Sequence, residues 1–308
     1  MIENEIIIVD GIPNHEYDAL IEDCIKYALI SKPFTIRRIG NQTLEQSILN
    51  IFKGKIAESI FRFFCINNNI EIDWETPSTP FWTIDKRDFI TNSIEWDIKN
   101  NFIYHDGDEL MNYKYSDLPV LIPNRRANDQ WGTKNQIKNA GICLSTSYIF
   151  SFLKSASLQN GNRGADFMEL NISQEQLNFI ENLEIRYNGI PTHNEPFTDE
   201  WFWTEMANRG DLDFIQLRFR PHLIITAIAN HNHWGLFRDT GPFDRANNFQ
   251  TYIAPRWYTK TNSGSCNFMN GTLWTTITNS TLPVSNLPSF LSLFPHLNNN
   301  INYGRIKQ

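Results

Sequence analysis

"RDFITNSIEWDIKNN", residues 87–101, alternates apolar and charged residues and then stops on two asparagines. The alternation predicts a half-buried strand, because successive side chains of a strand point to opposite faces. Ile94, Trp96 and Ile98 then enter a core, while Glu95, Asp97 and Lys99 stand together on the other side. Asp88 lies just upstream, across a polar turn. A solvated sheet face explains such a row by itself. The neighbouring chain favours a row of functional side chains.

A helical pattern precedes it at residues 43–64, "TLEQSILNIFKGKIAESIFRFF", and "CINNN" supplies a stop. Gly54 and Glu58 are one turn apart and share a face. A mid-helix glycine costs about 1 kcal/mol relative to alanine, so close packing against another element is expected there. Glu58 would sit at that contact, where a carboxylate is usually paired or ligating. Downstream, Asp85 and Asp88 end one strand and Asp97 and Lys99 lie on the next. A hairpin can bring these groups to one point. Magnesium takes oxygen ligands and keeps several waters, so two or three carboxylates suffice to hold it. The ion would polarise a phosphate and activate water, and Lys99 would orient that water or stabilise transition-state charge.

A helix with "GKIAE", then "RDF", then "EWDIK" resembles the PD-(D/E)XK nuclease superfamily, which includes many restriction endonucleases. The resemblance covers about residues 43–153. It implies that Glu58, Asp88, Asp97 and Lys99 are catalytic, with Glu58, Asp88 and Asp97 holding Mg2+ and with Asp85 and Glu95 in reserve. It further implies an α/β (α+β) restriction-endonuclease-like core, a central mixed sheet flanked by helices, and a nucleic-acid substrate. No proline precedes Asp85 or Asp88 as the family pattern would have it. Asp88 is the better upstream ligand, because "DF" leads through the turn into "DIK" as the more compact hairpin.

The chain has 308 residues, enough for one large domain or two modest ones. Its longest apolar runs, such as "HLIITAIA" at 222–229, are too short to cross a bilayer, and the amino terminus carries no secretory pattern, so no membrane association and a cytoplasmic location are expected. Cys24, Cys65, Cys143 and Cys266 are scattered without CxxC spacing, which suggests neither structural zinc nor a disulfide framework. A net charge of -7 argues against nonspecific coating of nucleic acid, while leaving room for local patches. Walker, GxGxxG, GxSxG and HExxH patterns are absent from the sequence, which leaves ATP-driven work, dinucleotide chemistry, serine hydrolysis and zinc proteolysis without support.

Residues 14–30 read as a helix capped by Asn14. Strands are expected at 81–85, 93–99, 118–123 and 141–153, and a Ser/Asn/Gly-rich loop or lobe boundary at 155–170. Helices follow at 173–188 and 198–208, and from 211 the chain turns to strands and aromatics. A nuclease core over 1–154 and a β-rich recognition or dimerisation region over 155–308 follow from this division.

"DFIQLRFRPHLII", residues 213–225, would set Gln216, Arg218, Arg220 and His222 along one strand face, where arginines can meet phosphates or guanine edges. Arg125, Arg126 and Gln130 form a second candidate DNA contact just past a strand. A charged outer sheet face and ordinary surface arginines are the plainer readings. His231 and His233 would share a face on a strand, but no third metal ligand stands out. Trp201, Trp203, Trp234, Trp257, Tyr258 and Trp274 could stack bases or fill a core.

The expected activity is therefore that of a magnesium-dependent, site-specific endonuclease acting on double-stranded DNA as a homodimer, since a double-strand cut needs two centres. The alternatives are a nuclease of the same fold acting in repair or on RNA or foreign nucleic acid, and a noncatalytic aromatic-rich binding module.

Overall fold

Thr43 sits extended before residues Leu44–Asn67, and its hydroxyl accepts the Gln46 N–H at 3.1 Å. That bond satisfies one of the orphan donors of a helix start, and helix α2 begins there. Ile48, Phe52, Ile56, Ile60 and Phe64 recur every fourth residue and are fully buried, the stripe that docks α2 on the core. Helix α1, Asn14–Ser31, packs alongside. Its cap position is held by Pro13 with no side-chain bond, so Asn14 is the first helical residue and not the expected cap.

The computed structural model describes residues 3–35, 43–78, 80–82, 87–104, 115–123, 146–159, 162–187, 197–236, 238–239, 258–260, 266–268, 271–273, 279–298 and 300–307. Strands β1 (Ile7–Val9), β2 (Phe89–Thr91), β3 (Ile94–Tyr104), β4 (Pro119–Pro123), β5 (Thr146–Gln159), β6 (Asn162–Asp166) and β7 (Met168–Leu170) precede helices α3 (Gln174–Tyr187) and α4 (Asp199–Ala207). Strands β8 (Ile215–Leu217), β9 (Leu223–Ala229), β10 (Arg238–Asp239), β11 (Tyr258–Lys260), β12 (Cys266–Phe268), β13 (Gly271–Leu273), β14 (Asn279–Pro283) and β15 (Arg305–Ile306) follow.

The main sheet runs β11-β12-β13-β3-β5-β9-β1-β15, with β2 beside β3 and β6 beside β5. β3 and β5 are parallel and their neighbours antiparallel, so the sheet is mixed. One face contributes Val9, Trp96, Ile98, Ile149, Leu153 and Ile225 to a single core shared with the helices. The other face carries buried Ile8, Phe150, Phe152 and Ile224, and β4 of a second sheet, β10-β14-β4, contacts β3. The protein is thus a mixed α/β fold with a central mixed sheet flanked by helices.

Several elements differ from expectation. Phe81 and Trp82 lie in a turn and not in a strand, and 83–86 fall outside the described residues. The strand at 93–99 extends through both asparagines to Tyr104. Where a loop was expected at 155–170, the described residues are largely strand: β5 continues to Gln159 and β6 pairs antiparallel with it, Ala156 with Asp166 and Gln159 with Asn162. Tertiary pairing has overridden a composition poor in strand formers. "DFIQLRFRPHLII" is not one strand, because β8 ends at Leu217 and Pro221, which has no N–H to give a ladder, precedes β9. His231 and His233 lie in a 3-10 turn, His231–Leu236, and not on a strand.

Candidate active site

β2 and β3 form a hairpin closed by Asn92 and Ser93, whose φ values of 51° and 60° give the tight turn that matches strand twist. Phe89 pairs with Trp96, so one further step sets Asp88 across from Asp97. The Asp88 N–H donates to Trp96 O at 2.8 Å, and its carboxylate Oδ2 accepts the Ile98 N–H at 2.6 Å. Asp88 therefore replaces a ladder partner with its own side chain. Among the described residues, β2 pairs with residues 94–96 of β3 and β13 with 103–104, which leaves a gap along that edge, and the Asp88 carboxylate bonds into it at Ile98.

Both sheet faces reach this edge. From the helical side come Phe61 of α2, packed on Phe89, and Glu58 one turn earlier. From the other side come Asp97 and Lys99, in register with Tyr148 and Phe150 of β5. Lys99 Nζ lies 2.6 Å from Asp97 Oδ2, a charge contact without hydrogen-bond geometry, and 5.7 Å from the centre of the Tyr148 ring. The Asp97 side chain is only 5% exposed, so this row is no solvated face. Ile94, expected in the core, is 41% exposed beside the turn.

Burial, and then the negative charges of Glu58 and Asp97, hold the Asp88 carboxyl well above its usual range; the Ile98 N–H and the Lys99 charge oppose this. Of the four residues singled out in the sequence, Glu58, Asp97 and Lys99 are each near enough to act electrostatically on Asp88. Each of the other carboxylates has its own cation: Lys55 Nζ is 2.6 Å from Glu58 Oε2, Lys99 pairs with Asp97, and Arg87 pairs with Glu95. Among the described residues, no group of three His, Cys, Asp or Glu side chains is assembled for a metal ion. The donors suit a hard divalent cation in kind, being carboxylate oxygens whose mutual repulsion such an ion relieves.

Gly54 does not mark close packing, since a Cβ there would meet nothing within 4 Å. Glu58 is accordingly half-buried in an open cleft of about 150 Å3, lined also by Tyr27, Lys55, Arg62, Trp74, Arg87 and Asp88. Lys55, Arg62 and Arg87 were not singled out in the sequence. The signal for Lys55 was its three-residue spacing from Glu58 on one helix face.

The other candidates are dispersed. Arg218 pairs with Glu169 at 2.6 Å, Arg220 grips both oxygens of Asp18 at 2.7 and 2.8 Å, and Gln216 is exposed on β8 opposite Glu169. His233 Nδ1 accepts the Asn230 N–H at 3.1 Å. Trp201 and Trp203 pack with Phe197 and Phe202 at the edge of the core. Asp85, Arg125, Arg126, Gln130, Trp257 and Trp274 lie outside the described residues. Among the described residues no helix is long and apolar enough to cross a membrane. No family model matches the chain, and no curated protein or solved structure is significantly similar to it.

Proposed function

We propose that the chain is a magnesium-dependent endonuclease of the PD-(D/E)XK kind that hydrolyses phosphodiester bonds in double-stranded DNA at specific sites, as restriction enzymes do. One observation carries the reading: Asp88 sits across the hairpin from Asp97 with its carboxylate bonded to the Ile98 N–H, Lys99 is paired with Asp97, and Glu58 lines the same cleft as Asp88. Glu58, Asp88, Asp97 and Lys99 are the residues that the ordered pattern of helix Glu, strand-end Asp and Asp-x-Lys selects.

Glu58, Asp88 and Asp97 would hold Mg2+, which supplies polarisation of the scissile phosphate and a bound water of lowered pKa. The chain's own residues do the positioning. The Ile98 N–H fixes Asp88 at the gap, and Asp97 holds the Lys99 ammonium beside it. Lys99 offers charge to the phosphate oxygens as negative charge gathers there in the transition state. Arg87 and Lys55 keep Glu95 and Glu58 in place until a cation competes for them. The C-terminal strands and a second copy of the chain would supply target recognition and the second cut.

The charge pairing of Glu58, Glu95 and Asp97 favours a second reading, in which the cluster is a structural network in a noncatalytic binding module. Isothermal titration with MnCl2 separates the two. The nuclease reading expects saturable binding that Asp97→Ala abolishes; heat signals identical to buffer in wild type support the module.

A further inference from the structure

In a chain of net charge -7, three cations, Lys55, Arg62 and Arg87, line the cleft beside Asp88, against the carboxylates of Glu58 and Asp88. The neighbouring acids explain two of them, since Lys55 is bound to Glu58 and Arg87 to Glu95. Arg62 is held differently. Its guanidinium lies over the Trp74 ring, 5.5 Å from the centroid. Its ion pair reaches Glu75 at 3.4 Å, and that carboxylate is 86% exposed, so the pair contributes little and yields easily to a stronger anion. Trp74 is itself fixed against Phe61 and Phe89, which gives the guanidinium a rigid support.

Arg62 follows Glu58 by four residues on α2, and so stands on the same helix face about 6 Å further along the axis. A nucleic-acid strand whose scissile phosphate lies at Asp88 carries its next phosphate at a comparable step. A planar guanidinium with two parallel N–H donors matches that group.

We propose that Arg62, seated on Trp74, binds the phosphate next to the scissile one, with Lys55 and Arg87 completing a cationic wall that takes a phosphodiester or polyphosphate chain. The proposal rests on the nuclease reading for the identity of the ligand, while the phosphate site stands on the cleft itself.

Two measurements on the full chain test it. In the first, pyrophosphate is titrated against wild type, Arg62→Ala and Arg62→Lys while Tm is followed. Wild type should gain stability, Arg62→Ala should lose that gain, and Arg62→Lys should recover part of it. In the second, binding of a fluorescein-labelled mixed-sequence duplex to Lys99→Ala protein is followed by anisotropy over a salt series in EDTA. Adding Arg62→Ala should weaken binding about tenfold and lower the slope of log Kd against log salt by about 1. Pyrophosphate stabilisation dependent on Arg62 without duplex binding would keep the phosphate site and remove the nuclease reading. If Arg62→Ala changes neither measurement, whether because the parent binds both ligands equally well without it or binds neither, the proposed site is wrong.

Discussion

Asp88 is a carboxylate the fold keeps where its charge is unwelcome. Its folded pKa lies above the unfolded one, so protonation stabilises the native state, and that contribution is lost as pH rises from the ordinary carboxylate range through the raised value. Asn at this position keeps an acceptor for the Ile98 N–H and removes the charge. Asp88→Asn should therefore melt above wild type at neutral pH, with the gap closing as pH falls, and should be inactive. Equal melting temperatures across that range would mean the carboxylate is not destabilised. Cys24 is shifted in the same direction. Burial pushes its thiol up to about 12, and Cys65 is raised by burial as well. Peptide mapping after iodoacetamide treatment of the native protein should find both unmodified.

At the scale of elements, α2 and the β2–β3 hairpin were legible because their signals are local. Thr43 as N-cap, the apolar stripe of α2 and the alternation over 94–99 need no distant partner to be read. The gap in the β3 edge was not legible, since β13 arrives from about 170 residues later to define its far side. The 155–170 segment was misread for the same reason, its strands being made by pairing. Gly54 was misread because a helical glycine can mark close packing or nothing, and here a Cβ has open space. Gly54→Ala should raise stability by about 0.5–1 kcal/mol in urea unfolding, with activity unchanged. Ser93, at φ 60°, pays for a left-handed conformation that glycine adopts readily. Ser93→Gly in the Asn-Gly turn should gain on the order of 1 kcal/mol. A loss in either variant would mean that the new residue meets a clash or removes a contact at that position.

At the scale of the molecule, the central sheet draws on both sides of the boundary suggested by composition. β9, from residues 223–229, lies between β5 and β1, and Tyr17 of α1 donates its hydroxyl to Pro221 O at 2.7 Å. A fragment of residues 1–154 would lose β9 and the end of β5, leaving Ile149 and Leu153 without their neighbours. It should show no cooperative unfolding by circular dichroism, whereas a cooperative melt would establish an independent N-terminal domain. The opening row of charges acquires its meaning only in this whole: Glu58 arrives from one face of the sheet, Asp97 and Lys99 from the other, and Asp88 joins them at the edge.

The most direct test is incubation of the purified protein with a mixed-sequence plasmid in magnesium and in EDTA, beside Lys99→Ala, with sequencing of the product ends. Discrete fragments that require magnesium and vanish in Lys99→Ala are the predicted result, and their ends give the recognition site. Fragmentation that persists in EDTA or in Lys99→Ala, or plasmid left intact in every lane, would contradict a DNA-cleaving centre built on Glu58, Asp88, Asp97 and Lys99.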